Sequence, residues 1–379
     1  MTTDFTPALR NIRCIMHVDF DYFFAQCEEI RNPGLRSKPV VVCVFSGRTG
    51  ESGVVSTANY VARKYGVRSG IPIKLAKSRL ADVPDATFLP LDAGYYRQMS
   101  EAAMSVVESY ADRFEHVGID ECYVDVSDRF PSCGAAKKLA QDIKGDVKRQ
   151  MQLTCSIGVA PNKMLAKMAS DLQKPDGLTV IEPFTAAEFI SAMDTDKIPG
   201  IGLKTSERLA EMGIKTIGDL ARFDLFKLIK EFGKKTATYM HNVARGIDDE
   251  PVLESEEKKQ IMRIVTLKKD ATASEEMYGE LYDLCQSVFQ KAANRKLSFK
   301  SVGILLILDN LDILSKSKSL KVHATSFDAI HSTAKAVLDE AMVATGRAAK
   351  VRRLGVRLSD LRSSAGQNTM LDFMGSGGR

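Results

Sequence analysis

Residues 15–24 read IMHVDFDYFF. A short apolar run ends on two carboxylates, Asp19 and Asp21, and three aromatic residues follow at once. The run Ile15–Val18 contains β-branched residues and reads as a strand. Its counterpart lies about a hundred residues on. The stretch GIDECYVDVS (118–127) sets Asp120 and Glu121 together between two short extended runs, as at the tip of a hairpin. If that hairpin lies beside 15–18, Asp19 meets Asp120 and Glu121 at one edge of a sheet. Clustered carboxylates raise one another's pKa and call for a compensating charge. An oxygen-only cluster of this kind suits Mg²⁺, which keeps waters and takes phosphate oxygens as further ligands. Two such ions stabilise the entering and leaving oxygens of an in-line phosphoryl displacement. The alternative, isolated acids solvated at strand ends, stands as long as the motifs are not shown to be neighbours.

Composition narrows the classes. The chain has 379 residues, enough for two to four folding units, and no apolar run approaches a membrane span. The opening MTTDFTPALRNIRC lacks the apolar core of a signal peptide. Seven Cys are scattered with no CxxC pair, which favours reduced thiols and a cytoplasmic location over disulfides or zinc. The five His show no metal spacing. Net charge is only +5, but between Thr345 and Arg362 six basic residues face one acid. Such a patch suits a phosphate backbone, or is a solvated basic face.

Strand and helix signals alternate through residue 181. Val40–Phe45 reads as a strand and 46–53 as a turn or hairpin loop. Helical patterns cover 58–65, 93–111, 135–150 and 162–172, with a strand over 153–160. Helices dominate from there to about 247. The stretch DDEPVLESEE (248–257) carries six acids and a Pro, and reads as a linker or as an acidic loop within one domain. Beyond it, strands at 265–271, 301–308 and 351–361 alternate with helices at 273–296 and 326–345, a separate small α+β domain. A polar, Gly-rich tail closes the chain.

Six motifs occur in order: VDFDYFFAQCEE, VVVCVFSGR, STANYVARKYGVRSGIPI, GIDECYVDVS, SIGVAPNKMLAKMASDLQKPDG and IPGIGLKTSERL. Together they resemble a Y-family DNA polymerase of the DinB type, most like archaeal members. The resemblance implies an α+β right-hand fold with a mixed-sheet palm (1–22 and 89–181) and small fingers (23–88). A helical thumb with a helix–hairpin–helix (182–247), a linker (248–258), a little finger (259–362) and a flexible tail (363–379) complete it. It implies a template-directed, low-fidelity translesion polymerase working by two-metal nucleotidyl transfer without a proofreading exonuclease. The implied partners are primer–template DNA, dNTPs and a sliding clamp, and the implied state is a monomer.

Carried over residue by residue, Asp19 and Asp120 match the aspartates that bridge two Mg²⁺ ions. Glu121 matches the glutamate at the primer-side metal, and the Phe20 carbonyl a ligand of the nucleotide-side metal. Asp21 is read as structural. Main-chain N–H groups around Tyr22, Phe23 and Phe24 match a triphosphate cradle. Phe24 matches a steric gate that excludes a ribose 2′-hydroxyl, while core packing is the better reading of the Phe23 ring. Tyr60 and Arg63, three apart on a helix, share a face and match triphosphate contacts, as does Lys174. Val44, Ser56, Thr57 and Gly70 match small residues that roof the nascent base pair. Lys163 and Lys167 serve primer DNA or a solvated face. Gly200 and Gly202 in the helix–hairpin–helix, and Arg352, Arg353 and Arg357 in the basic strand, match DNA contacts. Strand alternation sets Arg353 and Arg357 on one face and Arg352 on the other. In the tail, Gln367, Met370, Phe373 and Met374 resemble a clamp-binding motif, with Met for the usual second aromatic. A noncatalytic DNA-binding repair scaffold is the alternative, although it needs none of Asp19, Asp120, Glu121, Arg63 or Lys174.

Overall fold

A computed structural model describes residues 13–254, 259–345 and 350–364. They fall into two compact units, one of 13–44 with 54–254, the other of 45–53 with the residues from 259 on. The clamp-like motif at Gln367, Met370, Phe373 and Met374 lies outside the described residues.

The first unit is organised around β1 (Ile15–Phe20). It is the middle strand of a five-stranded sheet ordered β5-β6-β1-β7-β8, with β5 at Arg113–His116, β6 at Glu121–Asp125, β7 at Cys155–Ala160 and β8 at Leu178–Val180. A central strand covered on both faces needs apolar residues at consecutive positions, and β1 has them. Met16, Val18 and Phe20 enter a core with helices α4 (Ala93–Glu108) and α5 (Lys137–Met151). Ile15 points the other way, into a core with α6 (Lys163–Leu172). His17 and Asp19 follow Ile15 by the period of two, so the strand delivers them to the α6 side. Gly158 lets α6 lie directly on β7, since a Cβ there would stand 2.0 Å from the Ala166 carbonyl oxygen and 2.4 Å from the Ser170 nitrogen.

A smaller sheet ordered β3-β2-β4 joins Val40–Phe45 (β2), Gly53–Ala58 (β3) and Thr87–Pro90 (β4). Helices α2 (Tyr60–Arg63) and α3 (Ile73–Arg79) share its core through Ala62, Ile73 and Ala76. The helix expected over 58–65 is thus only Tyr60–Arg63. β3 runs through Ala58, and Asn59 caps the helix by accepting from the Ala62 N–H at 3.0 Å. Five short helices follow: α7 (Ala186–Ser191), α8 (Leu203–Glu211), α9 (Ile217–Arg222), α10 (Leu225–Phe232) and α11 (Lys234–Val243). Gly200 turns into α8 with φ of 88°, a left-handed conformation that glycine adopts without strain, and Gly202 is the α8 N-cap. Ile198, Ile201 and Leu209 pack this turn into the α6-side core.

The acidic stretch is docked onto the first unit over its first residues. Asp248 accepts from the Met164 N–H at 3.0 Å, a carboxylate at the N-terminus of α6. Arg13 donates to the Glu250 carbonyl at 2.7 Å, and Val252 is buried.

The second unit has an antiparallel sheet ordered β11-β10-β12-β9, formed by Gln260–Ala271 (β9), Leu297–Leu308 (β10), Ile313–Ala324 (β11) and Val351–Ser363 (β12). Helices α12 (Tyr278–Asn294) and α13 (Phe327–Thr345) pack on it through Leu281, Cys285, Ile330 and Val337. β11 was not expected from the sequence. All seven Cys are free and buried.

Candidate active site

The two acidic motifs meet. β1 pairs antiparallel with β6 in a register that sets Asp19 opposite Glu121. β5 and β6 form the hairpin, with His116 opposite Cys122, so Asp120 ends the turn and Glu121 opens β6. The Phe20 N–H donates to the Asp120 carbonyl at 2.8 Å and ties the turn to the end of β1.

Ammonium groups face this edge. Lys174 Nζ lies 2.8 Å from Asp19 and 2.8 Å from Asp171. Lys167 pairs with Glu121. His17, buried, has Nε2 3.2 Å from Glu121 and Nδ1 2.8 Å from Ser170 Oγ. With Nε2–H donating to the carboxylate, the neutral ring offers Nδ1 as an acceptor, and the single Ser170 hydroxyl proton is shared between it and the Lys167 carbonyl oxygen 2.8 Å away. Burial pushes His17 down, in keeping with that neutral form. Glu121 is pulled down to about 2 by the His17 N–H and, against burial, by Lys167. Asp19 goes the other way, pushed up to about 6 by burial, with the Asp120 charge adding and Lys174 opposing. Asp120 is raised by burial and then by Glu121. Lys174 is raised because its two carboxylate partners outweigh its burial.

Among the described residues no group of three or more His, Cys, Asp or Glu side chains converges in metal-holding geometry. The chemistry of the edge nevertheless fits a hard cation. Its donors are carboxylate oxygens, two of them held at raised pKa, and the positive charge they face is supplied by lysines. Cys122, in register with Val18, points to the opposite face of the sheet.

Asp21 is buried and accepts from Thr154 Oγ1 at 2.8 Å, Ser156 Oγ at 2.7 Å and the Asp176 N–H at 2.9 Å. It anchors the loop that carries Lys174. Tyr22 stands next, left-handed at φ 35°, before α1 (Phe23–Arg31), which starts with no side-chain cap and so leaves first-turn N–H groups available. The Tyr22 and Tyr60 rings meet edge to face at 5.4 Å, and the Arg63 guanidinium lies 4.7 Å from the Tyr60 ring centre. Burial raises the Tyr60 phenol against the Arg63 charge, with Asp21 and Asp19 adding and Lys174 opposing. Phe23 is buried. Phe24 is half-buried and stacks on Tyr96. Val44, Ser56 and Thr57 sit on the smaller sheet, with Val44 exposed.

The likeness to known proteins is extensive. Residues 18–171 match the impB/mucB/samB family, 196–248 the DNA polymerase-iota thumb domain, and 258–371 the impB/mucB/samB family C-terminal domain. The DNA polymerase IV of Nitrosopumilus maritimus is 48% identical over 362 residues, 95% of this chain and 99% of the relative. The chain belongs to the Y family of DNA polymerases. It is similar also to DNA polymerase IV 1 of Methanosarcina mazei, at 39% identity over 95% of this chain and 99% of that one. Among solved structures, a Y-family DNA polymerase chimera, Dbh-Dpo4(243-245)-Dbh, superposes with a TM-score of 0.86 at 37% identity, over 92% of this chain and 99% of the other. An insertion ternary complex of Dbh DNA polymerase gives 0.67 at 36% identity over the same shares.

This Y-family polymerase is a DNA-directed DNA polymerase of α+β fold, with the helix–hairpin–helix thumb and a C-terminal little finger. Members generally need divalent metal ions. One lysine departs from its reading, and a second is engaged at the acidic edge. Lys163 faces neither solvent nor an open groove. It is buried, 2.8 Å from Glu115, whose other oxygen accepts from the Leu253 N–H at 2.9 Å, so it pins the segment after residue 247. Lys167 is committed to Glu121. His17 and Tyr96 carried no signal in the sequence, because each owes its place to partners distant along the chain. In the little finger, Leu354, Val356 and Leu358 fill the core, while Arg353 and Arg357 alternate with them on the other face of β12. A register shift between Val351 and Arg353 leaves Arg352 at a bulge. The polymerase has no helix, among the described residues, long and apolar enough to cross a membrane.

Proposed function

We propose that this polymerase extends primers past damaged template bases with low fidelity and without proofreading, and that Asp19, Asp120, Glu121 and the Phe20 carbonyl hold a pair of Mg²⁺ ions. The convergence of Asp19 and Glu121 in adjacent strands, with Asp120 at the end of the β5–β6 turn, carries this reading. The bound ions supply acidification of the primer 3′-hydroxyl and neutralisation of the triphosphate. The chain does the rest. Lys174 exchanges Asp19 for the incoming triphosphate, and Arg63 and Tyr60 bind the same phosphates. The α1 first-turn amides cradle them, and Phe24 excludes the 2′-hydroxyl. His17 and Ser170 keep Glu121 ionised and oriented.

Tolerance of damage is assigned to the small side chains Val44, Ser56 and Thr57, which leave room over the nascent pair. The test is single-nucleotide extension opposite an undamaged base and opposite an abasic site. The complementary dNTP is expected to be preferred at the first with measurable misinsertion of the other three, and insertion and extension are expected at the second. Stalling at every abasic site removes the translesion reading and leaves the polymerase.

The thumb turn at Gly200 and Gly202 is assigned to the DNA backbone, as are Arg352, Arg353 and Arg357. Arg353 and Arg357 lie on the face of β12 opposite the core residues Leu354, Val356 and Leu358. Arg353→Ala with Arg357→Ala is expected to weaken primer–template binding across sequences and to reduce the slope of log K against log salt by about 2. A slope equal to wild type would make this a solvated face.

A further inference from the structure

A steric gate excludes only as firmly as its ring is held. The cost of admitting a ribose 2′-hydroxyl is the lesser of two quantities, the overlap with the ring and the work of pushing the ring aside. A ring free to yield by about 1 Å gives up most of its exclusion, because repulsion falls steeply with distance.

Phe24 is backed. Its ring stacks on that of Tyr96 with centroids 4.6 Å apart and planes at 16°. Tyr96 is fully buried in the first turns of α4. Its hydroxyl donates to Glu28 Oε1 at 2.7 Å. Glu28 lies one turn beyond Phe24 in α1, so the two share a helix face. Tyr96 therefore grips that face at two points, with its ring on the gate and its hydroxyl one turn below. Arg31 Nη1 stands 3.7 Å from the same Glu28 oxygen and steadies the lower point. Phe23, buried, closes the flank at 5.8 Å. On its packed face the ring cannot retreat without displacing a close-packed tyrosine.

We propose that Tyr96 is a specificity-determining positioning residue, which sets the discrimination against ribonucleotides by holding the Phe24 ring in place. This rests on the reading of Phe24 as the gate. The residue need not touch the nucleotide. Its stacked ring supplies the backing, and the bond to Glu28 fixes the angle of that ring.

The test is the ratio of kcat/KM for a dNTP to that for the matching rNTP, measured in the full chain for wild type, Phe24→Ala, Tyr96→Leu, Tyr96→Phe and the double variant Phe24→Ala/Tyr96→Leu. The ratio is internal to each protein, so a lowered folded fraction cancels. Tyr96→Leu is expected to lower it at least tenfold and Tyr96→Phe by less than about threefold, since the stacked ring remains. The double variant is expected to fall no lower than Phe24→Ala, because both changes disable one device. Selectivity kept in Tyr96→Leu but lost in Phe24→Ala would overturn the proposal and leave the gate standing. Additive losses in the double variant would also overturn it. Selectivity unchanged in Phe24→Ala would instead remove the gate reading itself.

Discussion

Asp120→Asn combined with Glu121→Gln is expected to lower templated nucleotide addition by about 10³-fold or more, with primer–template binding unchanged or tighter. The two amides keep the volume of the acids and remove their charge. A site that neutralises a triphosphate through metal ions is worth several kcal/mol at the transition state, and each 1.4 kcal/mol or so is tenfold in rate. DNA binding moves the other way, because two negative charges facing a polyanion have been removed and Lys167 is released from Glu121. The single variants separate function from stability. Burial already raises Asp120, so its charged form is held at a cost and Asp120→Asn leaves the melting temperature equal or higher. Glu121 is held at about 2 by His17 and Lys167, so Glu121→Gln lowers it. In metal-free protein that Glu121 contribution is fully present above the ordinary carboxylate range and is lost as pH falls towards about 2. Thermal unfolding with chelator present checks the stabilities, and rapid-quench extension checks the rates. Activity within tenfold of wild type in the double variant would move catalysis away from this edge.

Phe24→Ala is expected to admit ribonucleotides, lowering sugar discrimination by about 10²-fold, the equivalent of about 3 kcal/mol of overlap no longer imposed. The ring is available for this because only part of it is packed. One face lies on Tyr96, and Phe24 is half-buried where its neighbour Phe23 is wholly buried. The effect belongs to the sugar and not to the base. Discrimination between matched and mismatched dNTPs is expected to change far less than discrimination between dNTP and rNTP. Steady-state incorporation of each pair on one template measures both.

The parts of this molecule that were legible in its sequence are those whose chemistry is local. β1 and β7 announce themselves as β-branched apolar runs because both faces are covered. The hairpin around Asp120 and Glu121 shows as two extended runs about a turn, and its partnership with Asp19 follows once β1 and β6 pair. β11 was missed for the opposite reason. As an edge strand bonded to β10 alone, it reads ILSKSKSLKVHA, polar at most positions, with Leu314, Leu320 and Ala324 turned against the core. The acidic stretch from Asp248 has the composition of a linker, yet its first residues are bound because one carboxylate meets the start of α6 and Val252 packs into the α6-side core. Lys163 looked like a surface cation because its partner, Glu115, is 48 residues away. His17 and Tyr96 gave no signal because a buried histidine and a buried tyrosine are common core residues. Only the Glu121 carboxylate beside one, and the Phe24 ring beside the other, set them apart from such residues.

The central claim is that Asp19, Asp120 and Glu121 hold the divalent ions. It is tested most directly by Mn²⁺ binding, followed by electron paramagnetic resonance, to the full chain with primer–template DNA and a non-hydrolysable dNTP analogue. Wild type is compared with Asp19→Asn. The account predicts specific Mn²⁺ binding in wild type that weakens at least tenfold in Asp19→Asn. Equal Mn²⁺ affinity in the two proteins would contradict it and place the metal elsewhere.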